Sequence, residues 1–384
     1  MSRPRVLFHV QHLLGIGHLR RAATIARALV AAGMDVTVAS GGEPVPGVDF
    51  GVARVVQLPP ARAADAGFST LLDAAGRKVD DTWWEQRRAA LLELFRSVVP
   101  QVLLIELFPF GRRAFGRELV PLLEAARELR PQPAVLCSLR DILVDKGRPA
   151  PGKPDRVADT VALVRRHFDR VLVHGDPRVA TLALSFPGAA DIADRIAYTG
   201  YVVERPAAQP AGESREVLVS AGGGAVGGGL LRDCLAARPL TRLADRPWRL
   251  VTGLNLPEAE ARALAAAAPA GVAVERFRPD LAALFGSCAV SVSQGGYNTM
   301  MELIAARARA VVVPFAAPGE SEQALRARLF AERGLIALVE AGAPPERLAA
   351  AIDAAAECPR PAAGAIDLDG AAATARLVHG MIQS

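Results

Sequence analysis

Short uninterrupted apolar runs alternate along the chain with longer stretches in which apolar residues recur every three or four positions. Unbroken runs bounded by turn residues suit strands buried on both faces, and the longer stretches suit amphipathic helices. Arg5–Val10, Asp35–Ala39, Gln101–Glu106, Ala134–Ser138, Arg170–His174 and Ile196–Val203 are the strand-like runs of the first half. His18–Ala32 places Leu19, Ala22, Ala23, Ile25, Ala26 and Leu29 on one face and meets Gly33 as a stop, which predicts a helix. Arg62–Val99 reads as a long helical region. Glu204–Ser214, ERPAAQPAGES, breaks the alternation as a linker rich in Pro, Ala and Gly. A second α/β pattern follows, with strands Glu216–Ser220, Trp248–Gly253, Val272–Phe277, Ala310–Phe315 and Ile336–Val339. Its predicted helices are Leu230–Ala237, Glu258–Ala267, Asn298–Arg307, Leu325–Glu332 and Glu346–Glu357, and Asp369–Ile382 is a last one.

A length of 384 residues exceeds one comfortable core, so the pattern divides into two α/β halves. The expected boundaries are 1–203, a linker at 204–214, a second domain at 215–365, and a terminal helix within 366–384. Apolar residues make up 51 % and aromatics only 5 %, enough for two aliphatic cores. The net charge of +5 is scattered and mostly arginine, which suits phosphate-rich ligands or an anionic membrane surface but not nucleic acid. Cys137, Cys234, Cys288 and Cys358 lie far apart without metal-ligand spacing and read as reduced thiols of a cytoplasmic protein. The amino terminus, MSRPRVLFHV, runs straight into a strand with no leader-like segment. No stretch reaches the roughly 18 uncharged apolar residues of a membrane-spanning helix. The expectation is a soluble protein, at most peripheral on the inner face of a membrane.

Polar residues with possible chemistry cluster at strand ends. His18 lies where the loop after the first strand enters its helix, at the sheet edge where open α/β folds bind ligands. It could equally be a helix cap or a half-buried histidine. His9 and His12 alternate around the same loop, one facing a core and the other open to a ligand. Glu106 ends the strand QVLLIE and could act as an acid/base group, or pair with Arg112 or Arg113. Arg140-Asp141 and Gly175-Asp176 follow other strands in the same way. Trp83-Trp84 could form an exposed platform, although anchoring a core is commoner.

In the second half, Gly222–Gly229 holds six glycines in eight residues between a strand and a helix. Backbone N–H groups of such a loop cradle phosphate, and the alternative is a merely flexible loop. It lacks the Lys-Ser/Thr of a P-loop, which disfavours ATP hydrolysis. Val290–Phe315 contains a βαβ unit with Gly295-Gly296 at the turn into the helix. Glu302, six residues after Gly296, could reach a pair of ribose hydroxyls. Thr299 and Glu302 also have the spacing of a capping box.

This stretch, QGGYNTMMELI followed by Pro314-Phe315 and Glu320-Ser321-Glu322-Gln323, resembles the donor-nucleotide signature of GT-B glycosyltransferases of the MurG-like family 28 type. The resemblance implies two Rossmann-like domains facing each other across a cleft. It places Glu302 on ribose, Glu322 and Gln323 on the donor sugar, and Gly295, Gly296, Asn298 and Thr299 at the diphosphate-binding helix start. Gly222, Gly223 and Gly224 then line the diphosphate, and main-chain groups at Phe277 and Arg278 read the edge of a uracil. The chain departs from the pattern in Tyr297-Asn298, where small residues are usual, and in one extra residue after Phe315.

The loop Gly15-Ile16-Gly17-His18 resembles the glycine loop of the same family, with Gly15 and Gly17 toward the donor and His18 in the active site. Its form GxGHxxR, completed by Arg21, also resembles a nucleotide-sugar hydrolase of pseudaminic acid synthesis. The resemblance thus implies an inverting transfer from a UDP-linked sugar to a small-molecule or lipid-linked hydroxyl acceptor, with no metal and no cofactor. His18 and Glu106 are the candidate catalytic residues, and Asp141 is a substitute base. The alternatives are a nucleotide-sugar hydrolase and a non-catalytic binding module. The terminal helix is expected to cross back onto the first domain.

Overall fold

The computed structural model describes residues 3–13, 16–64, 70–144, 155–204, 212, 214–223, 227–315 and 322–383. It divides into two compact units. One comprises Met1–Leu143, Gly147–Val202 and Asp369–Ser384, and the other comprises Val144–Lys146 and Val203–Leu368.

The first unit holds β1 (Arg5–Val10), α1 (Gly17–Ala31), β2 (Asp35–Ser40), β3 (Arg54–Gln57), β4 (Arg62–Ala63), β5 (Leu71–Leu72), α2 (Asp81–Val98) and β6 (Val102–Glu106). After these come α3 (Gly116–Glu128), β7 (Ala134–Arg140), α4 (Arg156–His167), β8 (Arg170–His174) and β9 (Ile196–Tyr198). Its main sheet is parallel, in the order β3-β2-β1-β6-β7-β8-β9. The order reverses between β1 and β6, and doubly wound folds bind ligands at the carboxyl ends of strands at such a reversal.

Burial of both sheet faces explains the unbroken apolar runs. Leu7, Leu103 and Ile105 enter one core, whereas Val6, Phe8, Val102 and Leu104 enter another beneath α1. The last helix, Gly370–Gln383, packs in this unit: its Ala375 and Val378 join Leu19, Ala22, Ala26 and Leu29 of α1. Gly370 lies so close to Gly200 that an added Cβ would stand 2.3 Å from the Gly200 carbonyl oxygen.

The second unit holds β10 (Val217–Ser220), α5 (Gly228–Ala237), β11 (Trp248–Val251), α6 (Glu258–Ala267), β12 (Val272–Glu275), α7 (Leu281–Ser287) and β13 (Val290–Gln294). It continues with α8 (Tyr297–Ala305), β14 (Ala310–Val313), α9 (Glu322–Ala331), β15 (Ala337–Leu338) and α10 (Pro345–Glu357). The sheet is again parallel, in the order β12-β11-β10-β13-β14-β15, with its reversal between β10 and β13.

Three expectations about elements change. Only Asp81–Val98 of the stretch Arg62–Val99 is helical, started by Asp80 accepting from the Trp83 amide at 2.8 Å. Upstream, β4 and β5 form a short antiparallel pair. Ile196–Val203 shortens to β9, and α3 and α4 are additions to the pattern reading, α3 carrying a proline at Pro121 that interrupts helical propensity. Of the expected linker, only Glu204, Gly212 and Ser214 are among the described residues.

Candidate functional site

His18 is the second residue of α1 and Glu106 the last of β6, so the strand-order reversal brings them together across 88 positions of sequence. Nδ1 of His18 lies 2.9 Å from Glu106 Oε1, and both side chains are buried. The Arg21 guanidinium, one turn along α1, donates to the same oxygen. From the end of β7, Arg140 Nη2 reaches His18 Nε2 at 2.7 Å. An arginine only donates, so Nε2 is the accepting nitrogen and Nδ1–H donates to Glu106: the ring is neutral in one defined tautomer.

Burial pushes the His18 pKa down, Glu106 opposes this, and Arg140 and Arg21 reinforce it, leaving it at about 4. Burial would raise the Glu106 carboxyl, but the His18 ring and Arg21 outweigh that and hold it at about 2. The site therefore keeps an ionised carboxylate oriented on a neutral imidazole. The second oxygen, Oε2 of Glu106, is buried and accepts no hydrogen bond from the described residues.

Of the two arginines read as possible partners of Glu106, Arg113 turns elsewhere, and the hydrogen bonds to Glu106 come from Arg21 and His18. Arg113 is occupied by the Arg156 carbonyl, Thr160 and Asp159. Arg112 acts on Glu106 electrostatically, and its own pKa falls to about 10 through burial, with Glu106 opposing and Arg140 adding like-charge repulsion. The sequence signal for Arg21 is the final position of GxGHxxR, whereas Arg140 stands out only as a polar residue ending a strand.

The other histidines of the loop have internal partners or burial. His9 is buried and its Nε2 lies 3.3 Å from Glu118, which also binds the buried Arg87. His12 is buried against Gly42, and burial lowers its pKa. His174 is fully buried between Ser138 Oγ at 2.9 Å and Thr199 Oγ1 at 2.8 Å, and burial presses its pKa to about 3. Asp176 takes the Arg178 guanidinium. Asp141 is buried, its Cβ packed where a side chain at Gly175 would stand. Trp84 is a core residue against Phe115, with Trp83 packed at the edge of the same core. Gly17 opens α1, and Gly15 lies outside the described residues.

In the second unit, the reversal between β10 and β13 sets two helix starts side by side. β10 feeds the loop before α5 and β13 feeds α8, and neither helix has a side-chain cap on its glycine N-cap, Gly227 or Gly296. At α8 open space lies beside the N-cap Gly296, the arrangement in which first-turn N–H groups favour an anion, whereas the first residue of α5, Gly228, packs on the Glu260 carboxylate. Gly222 has φ +72°, and an added Cβ there would lie 3.6 Å from Thr299 Oγ1 on α8. Gly253, at φ +79°, approaches the loop so tightly that a Cβ would meet the Gly222 carbonyl oxygen at 2.3 Å. Asn255 Nδ2 donates to the Gly223 carbonyl at 2.6 Å. Cβ atoms at Gly223 and Gly296 would meet nothing within 4 Å, so open space lies beside the backbone at both. Gly224 lies outside the described residues.

Because α8 starts at Tyr297, Thr299 is its third residue rather than its cap, and the capping box with Glu302 does not form. Glu302 and Asn298 are half-buried on the first turns. Gly295 packs against Val312 and Pro314 at the strand end. Glu322 is buried and accepts from Arg326 Nη1 at 2.9 Å, while Arg326 stacks over Tyr297 with its guanidinium 5.2 Å from the ring centroid. Gln323 Oε1 accepts the Phe315 amide at 3.1 Å, which ties the end of the β14 segment to α9. Glu320 and Ser321 lie outside the described residues. Phe277 is 54 % exposed just past β12, and Arg278 beside it forks onto Asp280. Among the described residues, no helix is long and apolar enough to cross a membrane.

Two parallel-sheet units, each with a strand-order reversal, make up the fold of GT-B glycosyltransferases. The similarity to solved structures runs along the whole chain. The calicheamicin glycosyltransferase CalG4 superposes with a TM-score of 0.61 at 17 % identity, over 100 % of this chain and 95 % of that one. The MurG of Acinetobacter baumannii gives 0.57 at 16 % identity, covering 100 % of both chains. The spinosyn rhamnosyltransferase SpnG gives 0.59 at 19 % identity, over 99 % of this chain and 96 % of that one. Residues 249–365 match the Glycosyltransferase family 28 C-terminal domain, the stretch that holds α8 with Glu302. No curated protein matches the sequence.

Proposed function

We propose that the protein is an inverting, metal-independent glycosyltransferase that moves a sugar from a UDP-linked donor to a hydroxyl acceptor, a small molecule or a lipid-linked one. The observation that carries this reading is the glycine-led start of α8, with open space at Gly296, beside the glycine loop at Gly222 and Gly223 at the strand-order reversal of the second unit. There the loop at Gly222 and Gly223 and the start of α8 take the diphosphate, and Glu302 takes the ribose hydroxyls. The exposed corner at Phe277 and Arg278 takes the base. Glu322 and Gln323 take the sugar, through atoms beyond those held by Arg326 and the Phe315 amide or by exchanging these partners.

In the first unit, His18 acts as general base through Nε2. The acceptor O–H gives its proton to Nε2 as its oxygen bonds to the anomeric carbon. The bond from that carbon to the diphosphate breaks, and the electron pair leaves with the diphosphate. Helix-start amides stabilise the departing charge more than they do the bound donor, which is how they lower the barrier. Glu106 holds the ring in the required tautomer and offsets the charge that develops on it. Since anion stabilisation is assigned to backbone groups, EDTA is expected to leave turnover nearly unchanged, and a strict requirement for Mg²⁺ or Mn²⁺ would overturn this part.

Hydrolysis of the donor is the second reading. It is favoured by Arg21, the last residue of GxGHxxR, which sits on the His18–Glu106 pair rather than merely in the motif. One experiment separates the two: incubate UDP-sugars with the protein without acceptor and measure binding and free sugar. Binding without turnover supports transfer, rapid release of free sugar supports hydrolysis, and no binding overturns both.

A further inference from the structure

We propose that Asn255 is a positioning residue for the donor diphosphate: it holds the turn at Gly222 and Gly223 with its carbonyl oxygens directed away from the phosphates, leaving N–H to face them. This inference rests on the nucleotide-sugar reading above. The contact that carries it comes from the loop after β11, where Asn255 Nδ2 donates to the Gly223 carbonyl at 2.6 Å. Asn255 is exposed, so this bond satisfies no buried group of its own side chain. Its effect is on the conformation of the glycine turn.

Two consecutive carbonyls of that turn meet the same neighbour. The Gly222 oxygen lies against Gly253 in the loop after β11, where a Cβ would not fit. The Gly223 oxygen meets Asn255 two residues further along that loop. A trans peptide sets its C=O and N–H on opposite sides, so the Gly223 N–H is directed away from the β11 loop. In the sheet β10 stands between β11 and β13, and α8 follows β13, so the α8 start lies on the side away from β11. Thr299 of α8 stands there, with its Oγ1 nearest to a Cβ added at Gly222. The Gly222 N–H is taken by Ser220 Oγ at 3.3 Å. A carbonyl oxygen turned to the α8 side would repel a phosphate, whereas an N–H attracts it.

Asn255 is itself held in place. Arg276, the first residue after β12, donates through Nη2 to the Leu254 carbonyl at 2.6 Å and the Leu256 carbonyl at 2.9 Å. These residues flank Asn255, and Leu256 is buried in the core of the unit. Nη1 of the same guanidinium binds Glu258 at 2.7 Å. The rigid fork thus fixes both peptide groups beside Asn255 before any ligand arrives. Arg276 also precedes Phe277, at the corner assigned to the base, so one side chain braces the base corner and the diphosphate turn together. Glycines lose more backbone freedom on ordering than other residues. A turn already tied by Asn255 leaves less of that loss to be met by binding.

The test compares UDP with uridine, which keeps the base and ribose but lacks the phosphates. Both are titrated into the full-length protein and its variants, UDP by calorimetry and uridine by NMR, alongside melting curves. The wild type is expected to bind UDP more tightly than uridine. Asn255→Ala should weaken UDP by about 3–10-fold, the net worth of one hydrogen bond, with uridine affinity and melting temperature nearly unchanged. Asn255→Leu, close in shape but without a donor, should behave in the same way. Variants that keep the wild-type ratio of UDP to uridine affinity overturn the role of Asn255 and leave the nucleotide reading standing. Equal weakening of both ligands also overturns it, since that is the mark of a loosened unit rather than a misdirected turn. A wild type that binds UDP no better than uridine, or binds neither, overturns the diphosphate assignment and this proposal with it.

Discussion

His18 is neutral at pH 7 for reasons that can be checked one residue at a time. Its folded pKa of about 4 lies below the ordinary 6.5, so the unfolded chain takes up a proton first as the pH falls. The folded state accordingly loses stability from pH 6.5 down to about 4 through this residue, with no contribution above that window. The acid limb of kcat/KM, which reports the free enzyme, is expected near pH 4, and a limb near 6.5 would return His18 to a structural role. His18→Ala should lower turnover by about 10²–10⁴-fold while donor affinity barely changes. Glu302→Ala is expected to weaken UDP-sugar binding by roughly 2–3 kcal/mol, the scale of lost charged hydrogen bonds. A deoxyribose analogue should bind weakly to the wild type and no worse to the variant. Calorimetry of both ligands on both proteins checks this, and unchanged affinity would remove Glu302 from the ribose.

At the scale of elements, the touching loops after β10 and β11 in the second unit respond differently to the same added methyl group. Gly253 is in the left-handed region, and a Cβ there would collide with the Gly222 carbonyl, so Gly253→Ala should destabilise the unit by about 1–3 kcal/mol. Gly223 has open space where its Cβ would stand, so Gly223→Ala should leave the melting temperature nearly unchanged. If the loop cradles a diphosphate, that same methyl group enters the ligand's space and weakens donor binding at least as much as Gly253→Ala does. Melting curves paired with donor titration decide the matter. A Gly223→Ala protein with wild-type affinity would make the glycines a feature of the turn alone. The helix starts were legible in sequence because glycine runs at strand ends are local signals. The unformed capping box was not, because it depended on whether α8 began at Tyr297 or at Met300, and both registers fit the same residues.

Over the whole molecule, the helix Gly370–Gln383 completes the first unit, although it follows the second unit in sequence. Removing it would uncover Leu19, Ala22 and Leu29 of α1, so truncation after Leu368 should cost the first unit about 2–4 kcal/mol. The measurement is the unfolding of the truncated chain followed by hydrogen exchange at α1. Protection equal to that of the full chain would show the helix to be dispensable. The alternation of apolar runs and helical stretches determined two parallel-sheet layers, because a strand covered on both faces must be apolar at every position. Glycine spacing likewise marked the loops at strand ends, and the terminal helix was visible by its period. Tertiary structure alone decided the partners of those positions. Nothing in the run QVLLIE says that Glu106 meets Arg21 and His18, when Arg112 and Arg113 are nearer in sequence. That pairing follows from the strand order, which lays β6 beside β1 and brings residues 88 positions apart to 2.9 Å. Arg140 reaches His18 across 122 positions by the same means, because β7 is the next strand in the sheet. Local sequence sets the period of each element, whereas charge pairing acts through space and depends on which elements become neighbours.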